Sequence, residues 1–299
     1  MSIWRRILGL LVAAFIGVSV GSMFVAESAL HVTVRPGPDS ADAARVARAG
    51  KAQWAAAEVT AADGAVLRGW IFTPAAPNGS AVIVLHGVGD TRAGVLGHAA
   101  YLLSAGYTVL TPDSRGHGAS GGDYITFGVK EAADVHTWAD WLFRNRPVTR
   151  LYGMGESMGA GIILESLATE PRLRAVVAEC PFVTFQEIAY DRLIQSTGLP
   201  RPPLWFVIHT GYLYAQTRYG LNLRRASPLD AVRATKTPIL MIHGTADDNI
   251  PYRHSEQLHA ANPAAITLWL VPGAHHVNAL ASDPAVYVRR VTGWFADHP

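Results

Sequence analysis

RLYGMGESMGAG, Arg150 to Gly161, is the stretch on which the reading of this chain turns. It opens as a short apolar run and passes into GIILESLATE, which has helical character. Between them lies Gly155-Glu156-Ser157-Met158-Gly159, a G-x-S-x-G pattern. So loose a pattern recurs by accident, and its surroundings must decide. A serine standing proud on a sharp turn needs a strand before it and a helix after it, and both are predicted here. Gly155 and Gly159 remove side chains where strand and helix approach closely. The Met158 N–H would open the helix, where donors are free and the dipole favours an anion.

Outward from that point the chain alternates. AEVTAADGAVLRGWIFTP, from Ala57, reads as two extended runs joined through Asp63-Gly64, a hairpin signal. Continuous apolar runs predict strands at Ala81–His86, Tyr107–Asp113, Arg150–Gly155, Leu173–Pro181, Thr237–Gly244 and Ala265–Gly273. Helical spacing is predicted at about 93–104, 128–145, 252–261 and 283–297, with Val135, Trp138, Trp141 and Leu142 on or near one face of the second. Such alternation gives an α/β fold, a mostly parallel sheet covered by helices on both faces, with function gathered at the C-terminal ends of the strands.

Three further loops lie at those ends. A serine hydroxyl needs a base, and the base an orienting acid. GTADDNIP (Gly244 to Pro251) offers Asp247 and Asp248, and PGAHHVN (Pro272 to Asn278) offers His275 and His276. The order Ser, Asp, His is the one this architecture uses. LHGVGDT (Leu85 to Thr91) can present the Val88 N–H beside that of Met158 as a second oxyanion donor.

From about Glu58 to the C-terminus the sequence resembles the α/β-hydrolase superfamily. It is most similar to the branch of serine aminopeptidase-like, monoglyceride-lipase-like and ABHD-type membrane-associated hydrolases. LHGVGD, PDSRGHGASGG (Pro112 to Gly122), GESMGAG, SPLDAV (Ser227 to Val232), HGTADDNIP and PGAHHVN carry the likeness. It implies an α/β-hydrolase fold, with an eight-stranded sheet and a small helical cap insertion at about 182–226. The pattern H-G-x-x-D falls on His243, Gly244 and Asp247, and P-G-x-x-H on Pro272, Gly273 and His276. Asp247 is thereby the implied acid and His276 the implied base. The resemblance also implies carboxylic ester cleavage through an acyl-enzyme, on an acyl ester or lipid-like small molecule. A peptidase or acyltransferase with the same triad, or a non-catalytic tethered binding protein, remains open.

The remaining sequence bounds the setting. The 299 residues are 49% hydrophobic and carry net charge +2 with no basic run, so no nucleic-acid face is expected. The lone Cys180 permits no intramolecular disulfide and is expected simply to pack. No metal-ligand spacing occurs and the triad needs no cofactor, so none is expected; nothing sets an oligomeric state. Ile7 to Ala26 runs without a charge and is long enough to cross a bilayer, so residues 1–26 are read as a transmembrane anchor. With Arg5 and Arg6 retained inside, the catalytic domain would be extracytoplasmic. Cleavage near Ala26-Glu27-Ser28 would instead release a secreted or periplasmic chain. Residues 27–57, with the RPGPDS break and an amphipathic ADAARVARAG segment, read as a linker before a domain at 58–299. His86 is expected to hold its loop by hydrogen bonding, as are the polar groups of Asp113, Arg115 and His117, while Glu156 has no assigned role. Trp205, Phe206, Tyr212 and Tyr214 either line an acyl pocket as a lid or pack the cap on the core.

Overall fold

The structure, a computed structural model, describes residues 3–299 other than Pro36 and Pro38. Met1 and Ser2 of the leader, and the two prolines of the Arg35–Ser40 break, therefore lie outside the described residues. In chain order the elements are α1 (Ile3–Leu30), α2 (Ser40–Ala49), β1 (Ala52–Thr60), β2 (Val66–Pro74), β3 (Ser80–Leu85), α3 (Leu96–Ser104), β4 (Thr108–Pro112) and α4 (Glu131–Asn145). Then come β5 (Arg150–Glu156), α5 (Met158–Ser166), β6 (Leu173–Glu179), α6 (Phe185–Thr197), α7 (Arg201–Tyr219), α8 (Pro228–Ala234), β7 (Ile239–Gly244), α9 (Arg253–Ala261), β8 (Ile266–Val271), α10 (Ala279–Ser282) and α11 (Pro284–Ala296).

The eight strands form one sheet in the order β1-β2-β4-β3-β5-β6-β7-β8. β2 runs antiparallel to both its neighbours, and every other pairing is parallel. β3 shows why such runs make central strands. Its six residues are all buried, Ala81, Ile83 and Leu85 packing on one face of the sheet and Val82 and Val84 on the other. The first face is covered by α4, α5, α8 and α9, through residues such as Trp138, Ile162, Val232 and Leu258. The second is covered by α2, α3 and α11, where Val46, Leu102 and Phe295 pack.

β1 begins at Ala52, ahead of Glu58 where the extended run was expected. The alanines of this segment carry little strand signal of their own. Pairing with β2 from Ala52↔Pro74 to Thr60↔Val66, and the edge-on packing of Trp54 against Trp70, supply what propensity does not. The segment read as linker thus holds the end of α1, the amphipathic helix α2 and the start of the sheet.

Between β6 and α8 the chain leaves the sheet to form the cap, α6 and α7. Thr184 caps α6 by accepting from the Glu187 N–H at 3.1 Å, with Glu187 in the first turn. The cap has its own apolar cluster, built around Phe185, Leu204, Ile208 and Tyr212, and Leu30 of α1 is buried in it.

Candidate active site

β5 delivers Ser157 to the C-terminal edge of the sheet, between its neighbours β3 and β6. The turn is tight enough to hold Ser157 at φ 53°, ψ −114°, a conformation L-residues avoid. The glycines make that turn possible. A Cβ on Gly155 would lie 2.2 Å from the Gly159 oxygen, and one on Gly159 would lie 2.5 Å from the Leu85 oxygen. Two other non-glycine residues with positive φ stand beside the serine, Cys180 (51°) after β6 and Val277 (47°) after His276. The Val277 N–H points to the Cys180 sulfur at 3.5 Å, so the two strained turns support each other.

The loops after β7 and β8 converge on the serine. His276 Nε2 is 2.9 Å from Ser157 Oγ, and His276 Nδ1 is 2.7 Å from Asp247 Oδ2. The other Asp247 oxygen accepts the N–H groups of Asn249 (2.9 Å) and Ile250 (2.8 Å). Burial alone would raise the Asp247 pKa. Hydrogen bonds from His243 and His276 outweigh it and hold the carboxyl far below its ordinary value, so it is ionised. His243 Nε2 points between Asp247 Oδ2 (3.2 Å) and the Ile250 carbonyl (2.8 Å), and its Nδ1 pairs with the Ser255 hydroxyl at 2.6 Å. A Cβ on Gly244 would lie 2.2 Å from the Ala274 oxygen, so the two loops pack backbone to backbone. His275 is exposed. Asp248 is engaged through its backbone carbonyl, which accepts from Gln195 at 2.9 Å.

The loop carrying Val88 crosses in front of the serine. A Cβ on Gly87 would be 3.4 Å from that of Ser157. Two buried imidazoles hold this loop. His86 donates from Nδ1 to the Gly87 carbonyl (2.8 Å) and accepts the Ser114 N–H on Nε2 (3.0 Å). His117 donates to the Arg115 carbonyl (3.0 Å) and accepts the Gly89 N–H (3.0 Å). Asp113 accepts the N–H groups of Arg92 (2.7 Å) and Ala119 (2.8 Å), and Arg115 makes a two-pronged pair with Asp134 at 2.8 and 2.6 Å. Asp113 and His117 thus bond to backbone as expected, whereas Arg115 pairs with the carboxylates of Asp134 and Asp63 instead.

The structure gives Glu156 partners that its sequence position did not reveal. Glu156 Oε1 lies 2.5 Å from His98 Nε2. Glu179, fully buried at the end of β6, accepts the Tyr287 hydroxyl at 2.5 Å and the Ala279 N–H at 3.1 Å. Ligand atoms of His98, Glu156 and Glu179 lie within 4.8 Å of one another, as do those of Cys180, Asp247 and His276. The side chains of the first group are bonded to one another or to Tyr287 and Ala279, as expected of a buried polar group that packs.

Ser157 opens into a cavity of about 290 Å³ between the sheet and the cap. Tyr212 and Ile208 of α7 and Ile188 of α6 line it, so the cap does form a wall. Trp205 does not line it: it is 53% exposed and stacks on His209. Phe206 and Tyr214 pack on α1, against Phe15 and Glu27.

The sheet order, the strained serine between β5 and α5, and the two converging loops make this chain an α/β-hydrolase. Residues 94–298 match the prolyl oligopeptidase family, and the chain belongs to that family. It is 28% identical over 213 residues to the YqkD protein of Bacillus subtilis (strain 168), covering 70% of this chain and 69% of that one. It is 28% identical over 233 residues to the YfhR protein of Escherichia coli (strain K12), covering 75% and 74%. In fold it resembles the Pyrococcus furiosus esterase Pf2001, with a TM-score of 0.72 at 24% identity over 90% of this chain and 98% of that one. The chain is thus a hydrolase of the esterase or peptidase-like serine type, with one N-terminal apolar helix of a length seen in membrane anchors and signal sequences.

Proposed function

We propose that this protein is a membrane-anchored serine hydrolase that cleaves carboxylic esters through an acyl-enzyme. The observation that carries the reading is the continuous contact from Ser157 Oγ through His276 to Asp247, at 2.9 and 2.7 Å. Ser157 Oγ attacks the ester carbonyl carbon as His276 Nε2 takes its proton. Asp247 holds the imidazole and stabilises its charged form. The N–H groups of Val88 and Met158 receive the oxyanion, the second at the start of α5 where the helix dipole adds to it. His276 then protonates the leaving alkoxide, and the same residues activate water to free the acid. No cofactor takes part.

The apolar cavity at Ser157 favours an acyl ester over a peptide, since a peptide needs partners for its N–H and C=O groups. The family membership keeps a peptidase as the second reading. The anchor in this reading is α1, and Arg5 and Arg6 at its start support a domain on the extracytoplasmic side. The test is fluorophosphonate labelling of the full-length protein, followed by turnover of acyl esters and aminoacyl amides. Labelling at Ser157 that is lost in His276→Ala, with esters preferred, supports the reading. A folded protein that is not labelled would return the tethered binding protein to the front, and preference for amides would make it a peptidase.

A further inference from the structure

α1 is long for its purpose. Its most apolar 18-residue window has a mean hydropathy of 2.3 and is only 6% buried, so most of its surface is left for lipid. Its last third behaves differently. Ser22 and Ala26 are buried against α7, where a Cβ on Gly211 would lie 3.6 Å from the Ala26 Cβ and 3.7 Å from the Ser22 oxygen. Ser22-x-x-x-Ala26 on one helix thus meets Gly211 on the other. Small residues at this spacing let helix backbones approach where apolar burial gives no drive, as within a bilayer. Phe15 meets Phe206 at 5.2 Å, and Glu27 binds the hydroxyls of Tyr214 and Tyr219. α7 therefore runs alongside α1 from Glu27 back to Phe15, roughly 18 Å at the helical rise per residue. With α1 anchored in a bilayer, the start of α7 is held against the membrane, and its exposed Trp205 and Leu213 are the apolar side chains it offers there.

The same third of α1 faces the site. Val25, Ala26 and Ala29 line the cavity that holds Ser157. A second, open groove is lined by Phe24, Val25 and Ser28 of α1 and by α6, and it shares Val25, Arg192 and Leu193 with the inner cavity. The groove and the inner cavity thus adjoin each other between α1 and α6.

We propose that the C-terminal third of α1 is a wall of the acyl site, and that the substrate is a bilayer lipid whose single ester-linked chain enters between α1 and α6 to reach Ser157. This rests on the serine-hydrolase reading above and specifies its substrate. An inner cavity of about 290 Å³ sits at the small end of ligand pockets, a size that suits one acyl chain rather than two. Cleavage after Ala26 would remove much of this wall, so the anchor is a working part of the enzyme.

The test uses full-length protein in phosphatidylcholine vesicles and a decyl fluorophosphonate carrying a terminal photoreactive diazirine. Phosphorus bonds to Ser157 Oγ with loss of fluoride, and light then fixes the chain end to its neighbours. Crosslinks within residues 22–29 are expected. Ser157 labelled, with crosslinks confined to other segments, overturns the α1 wall and leaves the catalytic reading standing. No label on Ser157 sinks both. Independently, Ala29→Trp should lower the ratio of decanoyl to acetyl ester turnover about tenfold, comparable to losing the burial of two methylenes. An unchanged ratio in a folded variant counts against the proposal.

Discussion

His86 offers a direct test of how the loop in front of Ser157 is held. Its Nε2 accepts a backbone N–H and its Nδ1 donates to a carbonyl, so the bonding pattern requires a neutral ring. Burial, and then the neighbouring His117 at a ring distance of 5.0 Å, push its pKa from 6.5 down to about 4. The unfolded chain therefore binds a proton at this position between those values while the folded chain does not. Stability contributed by His86 is fully present above pH 6.5 and is lost as the pH falls toward 4, a loss on the order of 3 kcal/mol. The comparison is between wild type and His86→Leu, unfolded by guanidinium at pH 7.5, 6.5, 5.5 and 4.5 in a mild detergent. At pH 7.5 the variant should be less stable by about 1–3 kcal/mol, because the Ser114 N–H loses its acceptor. That deficit should shrink steadily on acidification, since only the wild type has a ring to protonate. A deficit that stays constant from pH 7.5 to 4.5 would refute the neutral-ring account of the loop.

Outcomes are expected for four further variants. Ser157→Ala should lower kcat by about 10⁴–10⁶ with an unchanged melting temperature, and Asp247→Asn by about 10⁴, both read by ester turnover. Gly159→Ala places a Cβ 2.5 Å from the Leu85 oxygen and should destabilise the fold by more than about 2 kcal/mol, measured by denaturant titration. Glu165 on α5 is buried with no side-chain partner among the described residues, and burial, reinforced by the charge of Glu131, pushes its pKa well above 4.5. Since the folded state holds the extra proton, wild-type stability should fall as pH rises from 5 to 8, and thermal melts of Glu165→Gln should show that loss reduced.

What could be read from the sequence was local. Each loop that meets at the site follows a buried strand, and each carries a short pattern whose function is set within five or six residues. Asp247 and His276 emerge together for that reason, although 29 positions separate them. The hairpin and the parallel strands were legible because β-branched runs bounded by turns leave few alternatives. The start of β1 was not, because an alanine-rich segment becomes a strand only by pairing with β2. Trp205 misled for a related reason. Aromatic residues in a cap suggest a pocket lining, but Trp205 and Tyr212, seven residues apart, share a face of α7, and only the second lies where that face meets the cavity, while Trp205 sits toward the exposed start of the helix. The part played by α1 in the cavity was beyond sequence reasoning, since an apolar helix carries no sign of which of its faces another helix will cover.

The buried group behind Ser157 belongs to the same category, and its partners show why. Glu156 meets His98 across 58 positions, and Glu179 meets Tyr287 across 108. Yet Glu179 does something no loop motif can do. Its backbone carbonyl accepts the Ser157 N–H at 2.8 Å, while its carboxylate accepts the Ala279 N–H three residues beyond His276. One residue on β6 therefore fixes both the turn that carries the serine and the segment that follows the histidine. A misplacement of even an ångström between nucleophile and base can cost about a hundredfold in rate. A tether common to both loops limits such drift, which gives a buried carboxylate at this position a physical reason that does not require it to touch substrate.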